Sequence, residues 1–113
     1  MNMTQIKRKM DWKGLEVQSI KPLRNNYASL PSGTRFIVSC WSAGLSMRSE
    51  KCSCCGISLQ ITKVEPLYSV ELLDSDYNRR RLAWNQKCSY EKGMYGRVLI
   101  TPDEPMPEKE GLS

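Results

Sequence analysis

The sequence predicts a mainly β protein: a small barrel of about five strands, followed by a short helix and an extra strand. Three observations carry this. Apolar and polar residues alternate with period two in several short stretches between residues 15 and 73, and turn-forming Gly, Pro and Ser separate those stretches. A run free of proline and glycine, residues 77–86, then follows Asp74-Ser75-Asp76, which resembles a helix cap. A chain of 113 residues has material for one core. It divides into a flexible basic arm (1–10), a β-barrel (11–73), a basic helix-and-strand extension (74–101) and a disordered acidic tail (102–113).

Successive side chains of a strand point to opposite faces, so alternation marks a half-buried strand. Leu15-Glu16-Val17-Gln18 opens the domain in this way. Arg35–Trp41 is β-branched and aromatic, with Phe36, Val38 and Cys40 on one face, and Pro31-Ser32-Gly33 supplies the turn before it. Ala43-Gly44 then makes a tight two-residue hairpin into Leu45-Ser46-Met47-Arg48, a register that sets Cys40 opposite Met47. Ile57-Ser58-Leu59-Gln60-Ile61-Thr62 alternates strictly and is the clearest strand, with Ile57, Leu59 and Ile61 facing inward. Tyr68-Ser69-Val70-Glu71-Leu72 is the fifth, after Glu65-Pro66. Past the helix, Arg97-Val98-Leu99-Ile100 reads as a last strand, expected to pair with an edge of the barrel.

Five short strands with a long first loop and then tight turns suit an SH3-like layout. The run Leu30-Pro31-Ser32-Gly33-Thr34-Arg35-Phe36-Ile37-Val38, then Gly44-Leu45, Cys54-Cys55-Gly56, Ile61-Thr62-Lys63-Val64 and Val70-Glu71-Leu72-Leu73, resembles small uncharacterised SH3-like proteins of bacteriophages and prophages. The resemblance covers about residues 12–73. It implies a small β-barrel and an accessory protein of a phage or mobile element, and it implies no catalytic activity.

Composition narrows the function classes. No apolar run approaches the roughly 20 residues of a membrane span, so no membrane partner is expected. Lys7, Arg8 and Lys9 are followed by Met10-Asp11-Trp12-Lys13 and not by the apolar stretch of a signal peptide. Five cysteines are an odd number, and three crowd into Cys52-Ser53-Cys54-Cys55, so a disulfide framework fits poorly and a reducing, cytoplasmic compartment is expected. The chain has no histidine, which removes the commonest general base and one of the two usual zinc ligands. No paired carboxylates and no phosphate-binding glycine loop replace it. The chain is read as a non-enzyme, with no catalytic residues.

Two constellations remain. Cys52 and Cys55 have the spacing that lets two thiolates reach one tetrahedral metal, and Gly56 suits the knuckle; Cys54 and Cys88 are further candidate ligands for one zinc ion. The hairpin register puts Cys40 about 16 Å from Cys52 along a strand, which excludes it. Alternatively there is no cofactor, and the cysteines form a compact turn with one sulfur buried as a small hydrophobe. The second constellation is basic. Residues 101–113 carry a net −3, so against a total of +5 the rest of the chain carries +8. Such a body is drawn to polyanions. Tyr77, Arg79, Arg80, Arg81 and Trp84 combine forked phosphate donors with stacking planes, and Tyr77, Arg80, Arg81 and Trp84 share a helix side at offsets of three, four and seven. Arg48 and Lys51 extend the charge onto the barrel. The other reading of this segment is that Tyr77, Leu82 and Trp84 anchor it while the arginines face water.

The expectation is a binding module for nucleic acid or a nucleic-acid-handling complex. The alternatives are a protein-protein inhibitor of a host enzyme or defence system, of anti-CRISPR type, which docks on an acidic host surface, or a zinc-stabilised adaptor. Salt response separates nucleic acid from a partner interface with an apolar centre. The oligomeric state is not written in the sequence.

Overall fold

The alternating apolar positions set the register of the main sheet. The computed structural model describes residues 3–50 and 56–108. Its strands are β1 (Glu16–Ser19), β2 (Leu23–Arg24), β3 (Ser29–Leu30), β4 (Arg35–Trp41), β5 (Leu45–Ser49), β6 (Gln60–Val64), β7 (Val70–Leu72), β8 (Ser89–Gly93) and β9 (Gly96–Ile100). A single turn, α1 (Pro66–Ser69), precedes β7, and the longer helix α2 (Asp76–Lys87) follows it. Five strands form an antiparallel sheet in the order β6-β5-β4-β1-β7. Across it Val17 faces Phe36 and Leu72, Val38 faces Met47, and Met47 faces Ile61. All six are buried, and Trp12, Leu15, Leu45, Val70 and Leu82 complete the core.

The protein is therefore mainly β, with few helices. Among the described residues no pairing joins β6 to β7, so the five strands form an open sheet and no closed barrel is found. The long first loop is structured: β2 and β3 make a short hairpin, whose turn is held by the Asn25 side chain, accepting from the backbone N–H of Tyr27 and Ala28.

Five local features depart from the pattern the sequence suggests. The turn between β4 and β5 spans Ser42-Ala43-Gly44, and a bulge between Val38 and Cys40 sets Cys40 against Ser46, leaving Met47 opposite Val38. The Ile57 strand starts late: Ile57 is 61% exposed and the ladder begins at Gln60. A second bulge, between the Leu45–Val64 and Met47–Ile61 pairs, holds Lys63 at φ 58°, so Val64 turns into the core where strict alternation would have put Lys63. Gly44 packs directly on this bulge; a Cβ there would lie 2.9 Å from Lys63 Cα. The fifth strand shortens to residues 70–72, because Pro66 starts a helical turn in which Tyr68 points outward at 67% exposure. Finally, the last strand does not join the main sheet. β8 and β9 pair with each other as a separate ribbon joined at Gly93-Met94-Tyr95-Gly96.

The cap at the start of α2 is as expected: Ser75 Oγ accepts from Asn78 N–H, and the helix runs on to Lys87. The segment expected as a free arm is described from Met3 onward as two helical turns, Met3–Gln5 and Lys9–Trp12. Met3 and Ile6 pack against the core. Among the described residues no helix is long and apolar enough to cross a membrane.

Candidate functional site

Helix α2 was expected to present a basic, aromatic face, yet its chemistry is divided between three tasks. The inward side is polar. Asn78, fully buried, accepts from Glu16 N–H (2.8 Å) and donates to the carbonyls of Glu16 (2.8 Å) and Leu73 (2.7 Å). Asn85 donates to the carbonyls of Asp11 (2.7 Å) and Lys13 (2.8 Å), and Tyr77 donates its hydroxyl to Gly14 O at 2.6 Å. These side chains read the backbone of residues 11–16 as a neighbouring strand would, satisfying groups that burial would otherwise leave unpaired.

Arg81 belongs to this inward set. It is 5% exposed, donates to Lys13 O and Asn85 Oδ1 (both 3.1 Å), and lies 5.2 Å from the centre of the Trp84 ring. Its guanidinium packs on Gly14, where a Cβ would approach within 2.6 Å. The reading that put all three arginines outside is therefore corrected at position 81. A planar, weakly hydrated guanidinium tolerates burial when its donors find carbonyls.

The outward side is partly neutralised. Arg79 pairs with Asp74 and Asp76, and its hydrogen bond to Asp76 holds that carboxyl below the usual carboxylate range. Arg80 is exposed. Trp84 is half-buried, and its indole N–H donates to Glu104 O at 3.1 Å, while Lys87 pairs with the Glu104 carboxylate. The acidic segment that follows β9 thus folds back onto α2 and engages the edge of the Trp84 ring, while Arg81 lies over the ring. The shared side of Tyr77, Arg80, Arg81 and Trp84 is not a common open surface.

Arg48 is exposed on the outer face of the sheet, between Ile37 and Gln60, with Arg35 diagonal to it on β4. Lys51, and the candidate zinc ligands Cys52, Cys54 and Cys55, lie outside the described residues. Cys88 is buried just past α2, where its thiol contacts Trp84 O at 3.5 Å and burial pushes its pKa up. Among the described residues no three His, Cys, Asp or Glu side chains group as a metal would need.

Sequence reasoning missed two features. Arg8 donates to the carbonyls of Asn85 (2.8 Å) and Cys88 (2.7 Å) and to the buried Asp11, closing the C-terminal end of α2. The spacing of nearly 80 residues hides that contact. The other was β8, the partner of the last strand: Ser89-Tyr90-Glu91-Lys92 holds a single apolar residue, so no alternation marks it, and the one signal was the Gly93–Gly96 turn that joins it to β9. Nine of the ribbon's ten strand positions are exposed, and the turn residues Met94 and Tyr95 are 88% and 98% exposed. A groove is lined by the apolar Leu30, Ile57 and Leu59 together with the charged Arg35 and Glu50. No family model, no curated protein and no solved structure matches this chain.

Proposed function

We propose that the protein is a non-enzymatic binding module of SH3-like layout that engages nucleic acid, or a complex that handles it, through its basic surface. The strand order supports the layout. The first strand lies between the last strand of the sheet and a three-strand meander, a structured hairpin fills the first loop, and one helical turn precedes the last strand. The phage or mobile-element origin implied by the sequence resemblance is part of the same proposal.

The observation that carries the function is the distribution of charge. Exposed cations lie on the sheet face (Arg35, Arg48), on α2 (Arg80) and on the ribbon (Lys92, Arg97), and because four of the twelve acids crowd into residues 101–113 the rest of the chain keeps a net charge of +8. Such a field attracts phosphates before any base is read. Titration of a labelled oligonucleotide at 50 and 200 mM salt tests this; affinity is expected to fall steeply and linearly in log–log form. Absence of binding at the lower salt overturns it.

A second reading has its own observation. The groove of Leu30, Ile57 and Leu59 offers apolar side chains beside charged ones, which favours a protein partner and the inhibitor role. Capture of a host protein that survives nuclease and high salt would select it.

A further inference from the structure

The ribbon β8–β9 takes no part in the main sheet. Its residues are exposed on both faces, the main sheet is complete without it, and a lone two-stranded ribbon is at best marginally stable in water. Its register sorts the side chains. Tyr90 faces Leu99 and Lys92 faces Arg97, and because side chains alternate, these four share one face. Glu91, Val98 and Ile100 take the other.

Lys92 opposite Arg97 is the informative pair. Like charges directly across two strands weaken a ribbon that already has little to hold it. The arrangement becomes favourable when an anion lies between the two. The flanking groups narrow that anion. Tyr90 stands half-exposed beside the cations on one side, and Tyr95 projects from the turn on the other at 98% exposure. Cations set between aromatic rings are what a flexible phosphate backbone with free bases requires: the charges take the phosphates and the rings take base faces. The acidic segment after β9 is held on α2, where Glu104 engages Trp84 and Lys87.

We propose that the Tyr90–Lys92–Arg97 face and the Tyr95 tip of the β8–β9 ribbon form a contact site for single-stranded nucleic acid. This rests on the reading of the protein as a nucleic-acid binder and names the element that makes the contact. Binding here is sequence-tolerant, because every base has a face to stack and every nucleotide a phosphate.

The test uses the full chain and a labelled oligothymidylate of about 15 nucleotides, within the site sizes of such binders. The variants are Lys92→Ala/Arg97→Ala, Tyr95→Ala and Tyr95→Phe, each checked for an unchanged thermal transition. Removing the two cations is expected to weaken binding and to flatten the log affinity–log salt slope by about 1.4, at roughly 0.7 per phosphate contact on a single strand. Tyr95→Ala is expected to weaken binding about tenfold, and Tyr95→Phe to restore it, since the ring is what stacks. If the wild type binds and all variants bind equally with the same slope, the ribbon is not the site although the protein is a nucleic-acid binder. If the wild type does not bind at low salt, that broader reading falls and the ribbon site with it. If the wild type sediments as a dimer without oligonucleotide and Tyr95→Ala makes it a monomer, the ribbon's partner is a second copy, and the proposal is overturned.

Discussion

Replacing Asn78 by alanine should be among the most damaging single changes in this protein, and the size of the effect can be worked from its three hydrogen bonds. Asn78 is fully buried and serves Glu16 N–H, Glu16 C=O and Leu73 C=O. The Glu16 carbonyl keeps a second partner, the N–H of Leu73 at 3.2 Å. The change therefore strands two backbone groups, at about 1–3 kcal/mol each, for a total of roughly 2–6 kcal/mol. That is a large part of the 5–15 kcal/mol typical of a domain. Taking about 4 kcal/mol and a urea m-value of roughly 1–3 kcal/mol/M, the unfolding midpoint should fall by about 1.3–4 M. Asn78→Asp refines the test, because it keeps the acceptor for Glu16 N–H but turns a second oxygen toward two carbonyls; it should be no better than alanine. Urea titration followed by tryptophan fluorescence reads both. A loss below about 1 kcal/mol for Asn78→Ala would refute the view that this amide ties α2 to the sheet.

Further predictions concern charge and sulfur. Arg81→Ala should destabilise the fold by roughly 2–3 kcal/mol, since it removes a buried cation from Lys13 O and Asn85, whereas Arg79→Ala, at an exposed ion pair, should cost under about 1 kcal/mol; equal thermal shifts would contradict the division of labour on α2. Cys88 has its pKa raised by burial, so its contribution to stability is present in full below the ordinary thiol pKa and is lost as pH rises through the folded value; unfolding midpoints of the wild type should fall in mildly alkaline buffer, and Cys88→Ala should lose that part of the pH dependence. In the native state a thiol reagent should modify exposed Cys40 well before Cys88, and equal rates would show that position 88 is open to solvent. Glu104→Lys should repel Lys87, release the acidic segment from α2 and red-shift the Trp84 emission with little change in global stability; an unchanged spectrum would mean the backbone contact alone holds the segment.

Much of the fold was legible because the relevant residues signal locally. The β4–β5 hairpin, the Ser75 cap and the Arg97–Ile100 strand each follow from alternation, a turn or a capping hydroxyl. The errors have a common origin in backbone features that period-two patterning does not encode. The bulge at Lys63 changes which residue turns inward without altering the apolar count, and the exposed Ile57 obeys an alternation that no ladder follows. The candidate site was harder to read. The buried face of α2 is Asn78, Arg81, Leu82 and Asn85, mostly polar residues that resemble a solvated surface, because their partners are backbone groups of a segment more than 60 residues away. An arginine run looks uniform in sequence, yet one member is inside and another is ion-paired.

The contact of Arg8 with the carbonyls of Asn85 and Cys88 bears on how the chain can be made. The meander β4-β5-β6 is built from neighbours and can form as soon as it emerges from the ribosome, because its contacts are local. The N-terminal segment cannot settle until residue 88 exists. At roughly 5–20 residues per second, that leaves it waiting about 4–16 s with Met3 and Ile6 uncovered. β1 waits too, since its outer neighbour β7 and its clamp Asn78 come from the same late region. Closure should therefore be a single late event in synthesis. A nascent chain stalled with residue 75 outside the exit tunnel should remain sensitive to protease throughout residues 3–13, and protection should appear abruptly once α2 has emerged.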